Sequence, residues 1–292
     1  MVAYRWEEPP CDDGKARRLA DELDLDPLTA RLLILRGLDE AHAVERFLNP
    51  TLDQLNDPWR LADMRPAVDR LLGAIARGER IAVHGDYDVD GITATVIVRR
   101  ALELLGADVA HFVPDRIRDG YGLNASAIER LHAEGAKVIV SVDCGIRGAD
   151  AADRASALGV DLIITDHHEP DVALPAAFAV INPKRPDCTY PDKDLSGAGI
   201  ALKLVQALSA RTGRQAWLPA FVKIAAIGTV ADVVPLVGEN RVIASVGLDL
   251  LSRGPHKTGL RALLGASGLL GRAISSYHVS FLLAPRLNAA GR

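Results

Sequence analysis

The chain has 292 residues, of which 49% are hydrophobic and 25% charged, and a formal net charge of −4. That balance excludes an intrinsically disordered chain, and no apolar run reaches the roughly 20 residues a membrane-crossing helix needs. The polar start, Met1 to Asp13, carries acids and prolines and does not read as a signal peptide. Cys11, Cys144 and Cys188 are odd in number and far apart, which predicts a reducing, cytoplasmic setting rather than a disulfide framework.

In chain order, apolar positions recur at helical spacing over Lys15–Leu23, Pro27–Leu35, Asp39–Phe47 and Arg65–Ala76, broken at Asn49-Pro50 and Asn56-Asp57-Pro58. This predicts an N-terminal helical segment over 1–78. From Arg80 the pattern alternates. Strands are expected at Arg80–His84, Asp108–Val113, Lys137–Val142, Asp161–Thr165 and Phe178–Ile181, with helices at Ile92–Leu105, Asn124–Ala133 and Ala149–Leu158. Gly106, Gly135 and Gly159 stand where helix C-termini favour glycine. The alternation implies an α/β fold, a largely parallel sheet flanked by helices, over 79–292. Beyond Pro191 a mostly helical part is expected: Ile200–Arg211, Ala216–Val230, Arg241–Ser252, Leu260–Leu264 and Ser275–Leu283. The chain stops at Pro285–Arg292, which reads as the middle of a motif, so a domain truncated at its C-terminal end is expected.

Two strings concentrate the chemistry. His84-Gly-Asp86-Tyr-Asp88-Val-Asp90-Gly91 and Asp166-His167-His168 each follow a β-prone apolar run, at the strand mouths where open α/β sheets build their sites. Three aspartates within five residues repel one another and call for a cation. An EF-hand is rejected, because loop position 12 is Ile97 rather than glutamate and the lead-in is a strand. In extended backbone, residues two apart share a face, so His84, Asp88 and Asp90 can converge, with Asp86 as a further ligand or a supporting acceptor. The bland alternative is a turn whose aspartates cap the next helix, but one aspartate suffices for that.

Asp143 ends another apolar run and is either a turn residue or functional, while the adjacent Cys144 reads as a packed residue. Neighbouring side chains in a strand diverge. His167 is therefore read as a ligand, His168 as facing substrate, and Asp166 as the acceptor that orients an imidazole. Asp232 ends an apolar helical run, where an acid opposes the macrodipole and a cation would relieve it. Two divalent cations would bring the formal charge to zero.

The strings His84–Gly91, Val142–Gly145, Asp166–His168 and Ala231–Leu236, in that order, resemble the four motifs of the DHH phosphoesterase superfamily. Pro114–Asn124, Asn182–Gly199 and Pro285–Arg292 are similar to its branch of single-stranded-DNA exonucleases. The resemblance implies two divalent cations, Mn2+ or Mg2+. One would be held by His84, Asp88 and Asp143, and the other by Asp90, Asp143, His167 and Asp232, with Asp143 bridging. Asp86 and Asp166 would stand behind them, and His168 would face the scissile phosphate. It further implies 5′→3′ hydrolysis of single-stranded DNA to 5′-mononucleotides in repair and recombination, by two-metal activation of water. Single-strand-binding protein and a helicase are the implied partners, and a membrane is not.

Arg116, Arg118 and Tyr121 are then candidates for a strand-binding groove, and Arg286, Asn288 and Arg292 for the scissile phosphate. Backbone N–H groups of Gly197-Ala198-Gly199 could serve a phosphate or tight helix packing. Members of this branch continue into a second cleft domain, so a phosphatase of small nucleotides (nanoRNA or 3′-phosphoadenosine phosphate) and a folded but inactive fragment stand as alternatives.

Overall fold

The strand segments are short, apolar and largely buried, as in a parallel sheet covered on both faces. In the computed structural model, which describes Glu7 and residues 9–115 and 122–290, they are β1 (Ile81–His84), β2 (Val109–Phe112), β3 (Val138–Val142), β4 (Asp161–Thr165) and β5 (Ala179–Ile181). Their order is β2-β1-β3-β4-β5 and every neighbouring pair is parallel. The crossover helices are α5 (Val89–Leu104), α6 (Ala125–Ala133) and α7 (Ala149–Ala157). Because the chain steps outward from β1 to β2 and then back past β1 to β3, right-handed crossovers put α5 on one face and α6 and α7 on the other. Ile128 and Leu131 of α6 and Ala151, Ala152 and Ala155 of α7 pack with Ala82, Ile139, Leu162, Ile164 and Val180 of the sheet. The direction of winding reverses between β1 and β3, and the crevice at the carboxyl ends of those strands is where such sheets bind ligands.

Residues up to Gln54 form one compact unit and those from Leu55 another. The first contains α1 (Asp13–Leu23), α2 (Pro27–Ile34) and α3 (Ala41–Leu48), around Leu19, Ala20, Ala30, Leu33 and Val44. Asp12 and Asp26 cap its first two helices by accepting backbone N–H groups. The boundary expected near Gly78 lies earlier, because α4 (Met64–Ala76) packs with the second unit. Just before α4, Asp63 accepts the Val180 N–H at 3.0 Å and pairs with Arg185 at 2.6 Å. These contacts tie the segment to the end of the sheet.

The later helices are α8 (Gly197–Arg211), α9 (Leu218–Ala231), α10 (Gly238–Arg253) and α11 (Thr258–Ala266). Where one helix was expected over Ser275–Leu283, a single turn α12 (Ser276–His278) leads into a π-helical segment, Val279–Leu283, and then α13 (Ala284–Ala290). Ile227, Val230, Ala244, Leu251, Leu264, Val279 and Leu283 of this part share a core with Val89, so it packs directly behind the first motif. Among the described residues no helix is long and apolar enough to cross a membrane, and the three cysteines are free thiols.

Candidate metal centre

Three strand ends and the C-terminus of α9 deliver the acids. After β1, Asp88 keeps an extended backbone and caps α5, accepting the Gly91 N–H at 2.9 Å, and Asp90 lies in the first helical turn. The expected extended stretch through Asp90 is thus corrected: the helix begins at Val89 rather than Ile92. Asp90 is buried, and its two oxygens accept the N–H groups of Gly197 at 2.6 Å and Ala198 at 2.9 Å, at the start of α8. The N–H groups considered for a phosphate therefore serve Asp90, where the positive end of the α8 dipole favours an anion.

β3 ends at Asp143, whose φ of +61° lies in the left-handed region that Asp tolerates better than most residues. The bend turns its carboxylate toward β4. Asp143 Oδ1 stands 3.1 Å from His167 Nε2, which is also 4.0 Å from an Asp90 oxygen and 3.8 Å from an Asp232 oxygen. Asp166 accepts the N–H groups of Ile146, His167 and His168 at 2.9, 2.7 and 3.1 Å, and its Oδ1 lies 2.8 Å from His168 Nδ1. The imidazole that Asp166 holds is that of His168.

Donor atoms gather in three overlapping groups: Asp86, Asp88 and Asp143; Asp143, His167 and His168; Asp90, His167 and Asp232. Asp86 stands with Asp88 and Asp143 in the first of these groups. His84 is fully buried beside them, its Nδ1 3.6 Å from Cys144 Sγ and its ring against Phe112. Cys144 is a packed core residue whose thiol burial pushes far up, so it is no nucleophile.

The field of the site fits cations. Burial, reinforced by Asp232, pushes Asp90 up to about 8, and burial with the Asp88 and Asp166 charges pushes Asp86 up to about 6. Asp143 is raised by burial and then by the surrounding acids, and Asp232 by burial and Asp88. His167 is pushed down to about 4 by burial and by His168, which keeps its nitrogen lone pair available to a metal. Burial alone would raise Asp166, but its bonds from His168 and the backbone hold it below the ordinary carboxylate range. Asp143 Oδ1 and His167 Nε2 are buried without a hydrogen-bond partner. Two such facing atoms are costly unless a cation sits between them.

Two glycines make the cluster possible, and sequence reasoning missed both roles. A Cβ on Gly197 would lie 2.3 Å from Asp143 Oδ1, and one on Gly228 would lie 2.5 Å from Asp90 Oδ1. A signal was present for Gly228: a glycine inside an apolar helix costs about 1 kcal/mol relative to alanine, and it stands four residues before Asp232. A cavity of about 460 Å³ opens beside the acids, lined among others by Asp88, Asp90, Asp232, Ser280 and Asn288. Asn288, a sequence candidate for the scissile phosphate, lines this cavity, and so does Ser280, which the sequence did not single out. Arg286 does not line the cavity; it is exposed and donates to the Leu282 carbonyl on its own helical segment. Arg116, Arg118, Tyr121 and Arg292 lie outside the described residues.

A doubly wound sheet with carboxylates and imidazoles converging on its switch point has the arrangement of a cation-binding α/β site. Residues 80–229 match the model of the DHH family, N-terminal domain, and the chain belongs to that family. It is 43% identical over 289 residues to the single-stranded-DNA-specific exonuclease RecJ of Bacillus subtilis, an alignment covering 99% of this chain and 36% of the relative. Among solved structures it resembles RecJ of Thermus thermophilus in complex with Mn2+, with a TM-score of 0.79 and 35% identity over 97% of this chain and 39% of that one. The complex of RecJ from the same source with Mg2+ gives a TM-score of 0.68 and 32% identity, over 97% and 36% of the two chains. The chain thus spans between a third and two fifths of the length of these relatives.

Proposed function

We propose that this chain is the cation-binding part of a 5′→3′ exonuclease that releases 5′-mononucleotides from single-stranded DNA. The observation that carries the reading is Asp143, a buried carboxylate shared by two donor groups. Manganese or magnesium suits a set dominated by carboxylate oxygens with few imidazoles. Asp90, Asp143, His167 and Asp232 would hold one ion. Asp88 and Asp143 would hold the other, with His84 or Asp86 completing the set.

When bound, such a pair lowers the pKa of an attacking water and neutralises charge developing on the phosphate oxygens. The protein's own part is orientation. Asp166 fixes His168 through Nδ1, and that hydrogen bond raises the His168 pKa, which favours the imidazolium, the form whose Nε2–H is a donor for a phosphate oxygen. The cavity beside Asp90 and Asp232 gives room for the terminal nucleotide, with Asn288 and Ser280 as neutral donors. The leaving 3′ oxygen can take its proton from water. Asp86, in the loop after β1, would support the ion held by Asp88 and Asp143, and the Arg116–Tyr121 segment and Arg292 are the further strand contacts this reading calls on. Single-strand-binding protein and a helicase, in a cytoplasmic repair setting, are the partners such an activity would have.

The test is to incubate the chain with 5′-labelled single-stranded and duplex oligonucleotides, with Mn2+ or with EDTA. Metal-dependent mononucleotide release from the single strand alone is the expected result. Preferential cleavage of a dinucleotide would instead make it a small-substrate phosphatase, and release from neither would refute the exonuclease reading for this chain.

A further inference from the structure

A polyanion must approach a site carrying six aspartates, Asp86, Asp88, Asp90, Asp143, Asp166 and Asp232, and a basic side chain that sequence reasoning left without a role stands beside it. Lys184 lies in the turn after β5. Asn182, fully buried, ties this turn to the Asp166–His168 segment: its Nδ2 donates to the His168 carbonyl at 2.9 Å, and its Oδ1 accepts the Lys184 N–H at 2.8 Å. Two hydrogen bonds therefore fix the Lys184 backbone against His168. The Lys184 ammonium meets Glu169 Oε1 at 3.1 Å, and the glutamate side chain is 69% exposed. Arg147 donates from Nε to the Glu169 carbonyl at 3.1 Å, so a second cation flanks the same residue.

Lys184 is close enough for its charge to reach the centre. At Asp232, where burial and Asp88 push the carboxyl up, His168 and Lys184 pull it down. At His167, burial and His168 lower the imidazole and Lys184 adds to the effect. The pairing with Glu169 is of a kind easily exchanged, since a half-solvated Lys–Glu pair contributes little. A phosphodiester brings the same charge without the entropy of holding a long glutamate side chain.

We propose that Lys184 is a phosphate-binding residue of this site, seating a backbone phosphate of the strand beside the scissile one, with Glu169 as the counter-ion that the phosphate displaces. The inference rests on the function proposed above. It makes Glu169 a competitor of substrate, which a purely structural pair would not be.

The experiment is fluorescence anisotropy of a labelled oligothymidylate with the full chain, Ca2+ replacing Mn2+ so that the strand stays intact, at several salt concentrations. Lys184→Gln should weaken binding about tenfold at low salt and reduce the slope of log K against log salt by about 0.7, one phosphate contact on a single strand. Lys184→Arg should retain binding. Glu169→Gln should tighten it several-fold, a gain that misfolding cannot produce. Unchanged affinity and slope in Lys184→Gln, or weaker binding by Glu169→Gln, would overturn the role of Lys184 while leaving the exonuclease reading in place. Failure of the unaltered chain to bind any single strand would refute the proposed function and this inference together.

Discussion

Asp143 combines three uncommon properties: a positive φ, near-complete burial, and an oxygen facing an imidazole without a hydrogen bond between them. Each is unfavourable by itself, and a bound cation offsets the last two. Asp143→Asn keeps the shape and suits the left-handed backbone, but removes the charge both donor groups share. We expect it to fold normally by circular dichroism and to retain less than a few per cent of any metal-dependent hydrolysis; activity near that of the unaltered chain would exclude a bridging role. Gly197→Ala probes the same carboxylate from the other side. Its Cβ would press on Asp143 at 2.3 Å, so a loss of about 1–3 kcal/mol in stability is expected, with weaker Mn2+ binding by calorimetry. At this scale the sequence was legible wherever chemistry shows in residue type: the aspartates and histidines were nearly all recognisable. It was illegible where the role is an absence of atoms, as at Gly197 and Gly228.

Helices α8 and α10 are joined by a buried ion pair. Lys203, with no exposed surface, pairs with Glu239 at 2.8 Å and donates to the Asn56 carbonyl at 2.6 Å. Glu239 also accepts the Asn56 N–H at 2.8 Å and the Tyr190 hydroxyl. This network fixes the helix whose first N–H groups hold Asp90. Removing one partner leaves the other charge buried, a loss of about 3–5 kcal/mol. Thermal unfolding should therefore show Lys203→Met to be severely destabilised, whereas a shift of a degree or two would mean that the pair is solvated in solution. The strands, and the crossover helices apart from the start of α5, were readable from periodicity to within a residue or so. Helix starts were less so, for physical reasons. Val89-Asp90-Gly91 and Gly197-Ala198-Gly199 have poor helix propensity, and both begin helices because Asp88 and Ser196 cap them and Asp90 satisfies the freed N–H groups. The π-helical segment leaves no comparable trace, since its apolar spacing looks α-helical.

For the molecule as a whole, clustered acids make stability depend on pH in an unusual sense. Asp90 and Asp86 have folded values of about 8 and about 6, above the roughly 4 of an unfolded aspartate. The folded chain therefore binds more protons than the unfolded one. This contribution is fully present below about pH 4 and is lost as pH rises through 6 to 8. The melting temperature of the metal-free chain should accordingly fall between pH 6 and pH 8, and the rise on adding Mn2+ should be larger at pH 8, because cation and protons compete for the same oxygens. A metal-free melting temperature that climbs over this window would contradict the raised Asp90 and Asp86 values assigned to burial and neighbouring charge. The boundary between the units was the least legible feature at this scale. Composition changes at Gly78, but the hydrogen bonds of Asp63 to Val180 and Arg185 carry the second unit back to Leu55. Such long-range pairs leave no local pattern. The most direct test of the account is a calorimetric titration of the metal-free chain with Mn2+. Two ions per chain, falling to one or none in Asp143→Asn, is the predicted result. Binding that is absent, or unchanged by that substitution, would contradict a centre built on Asp143.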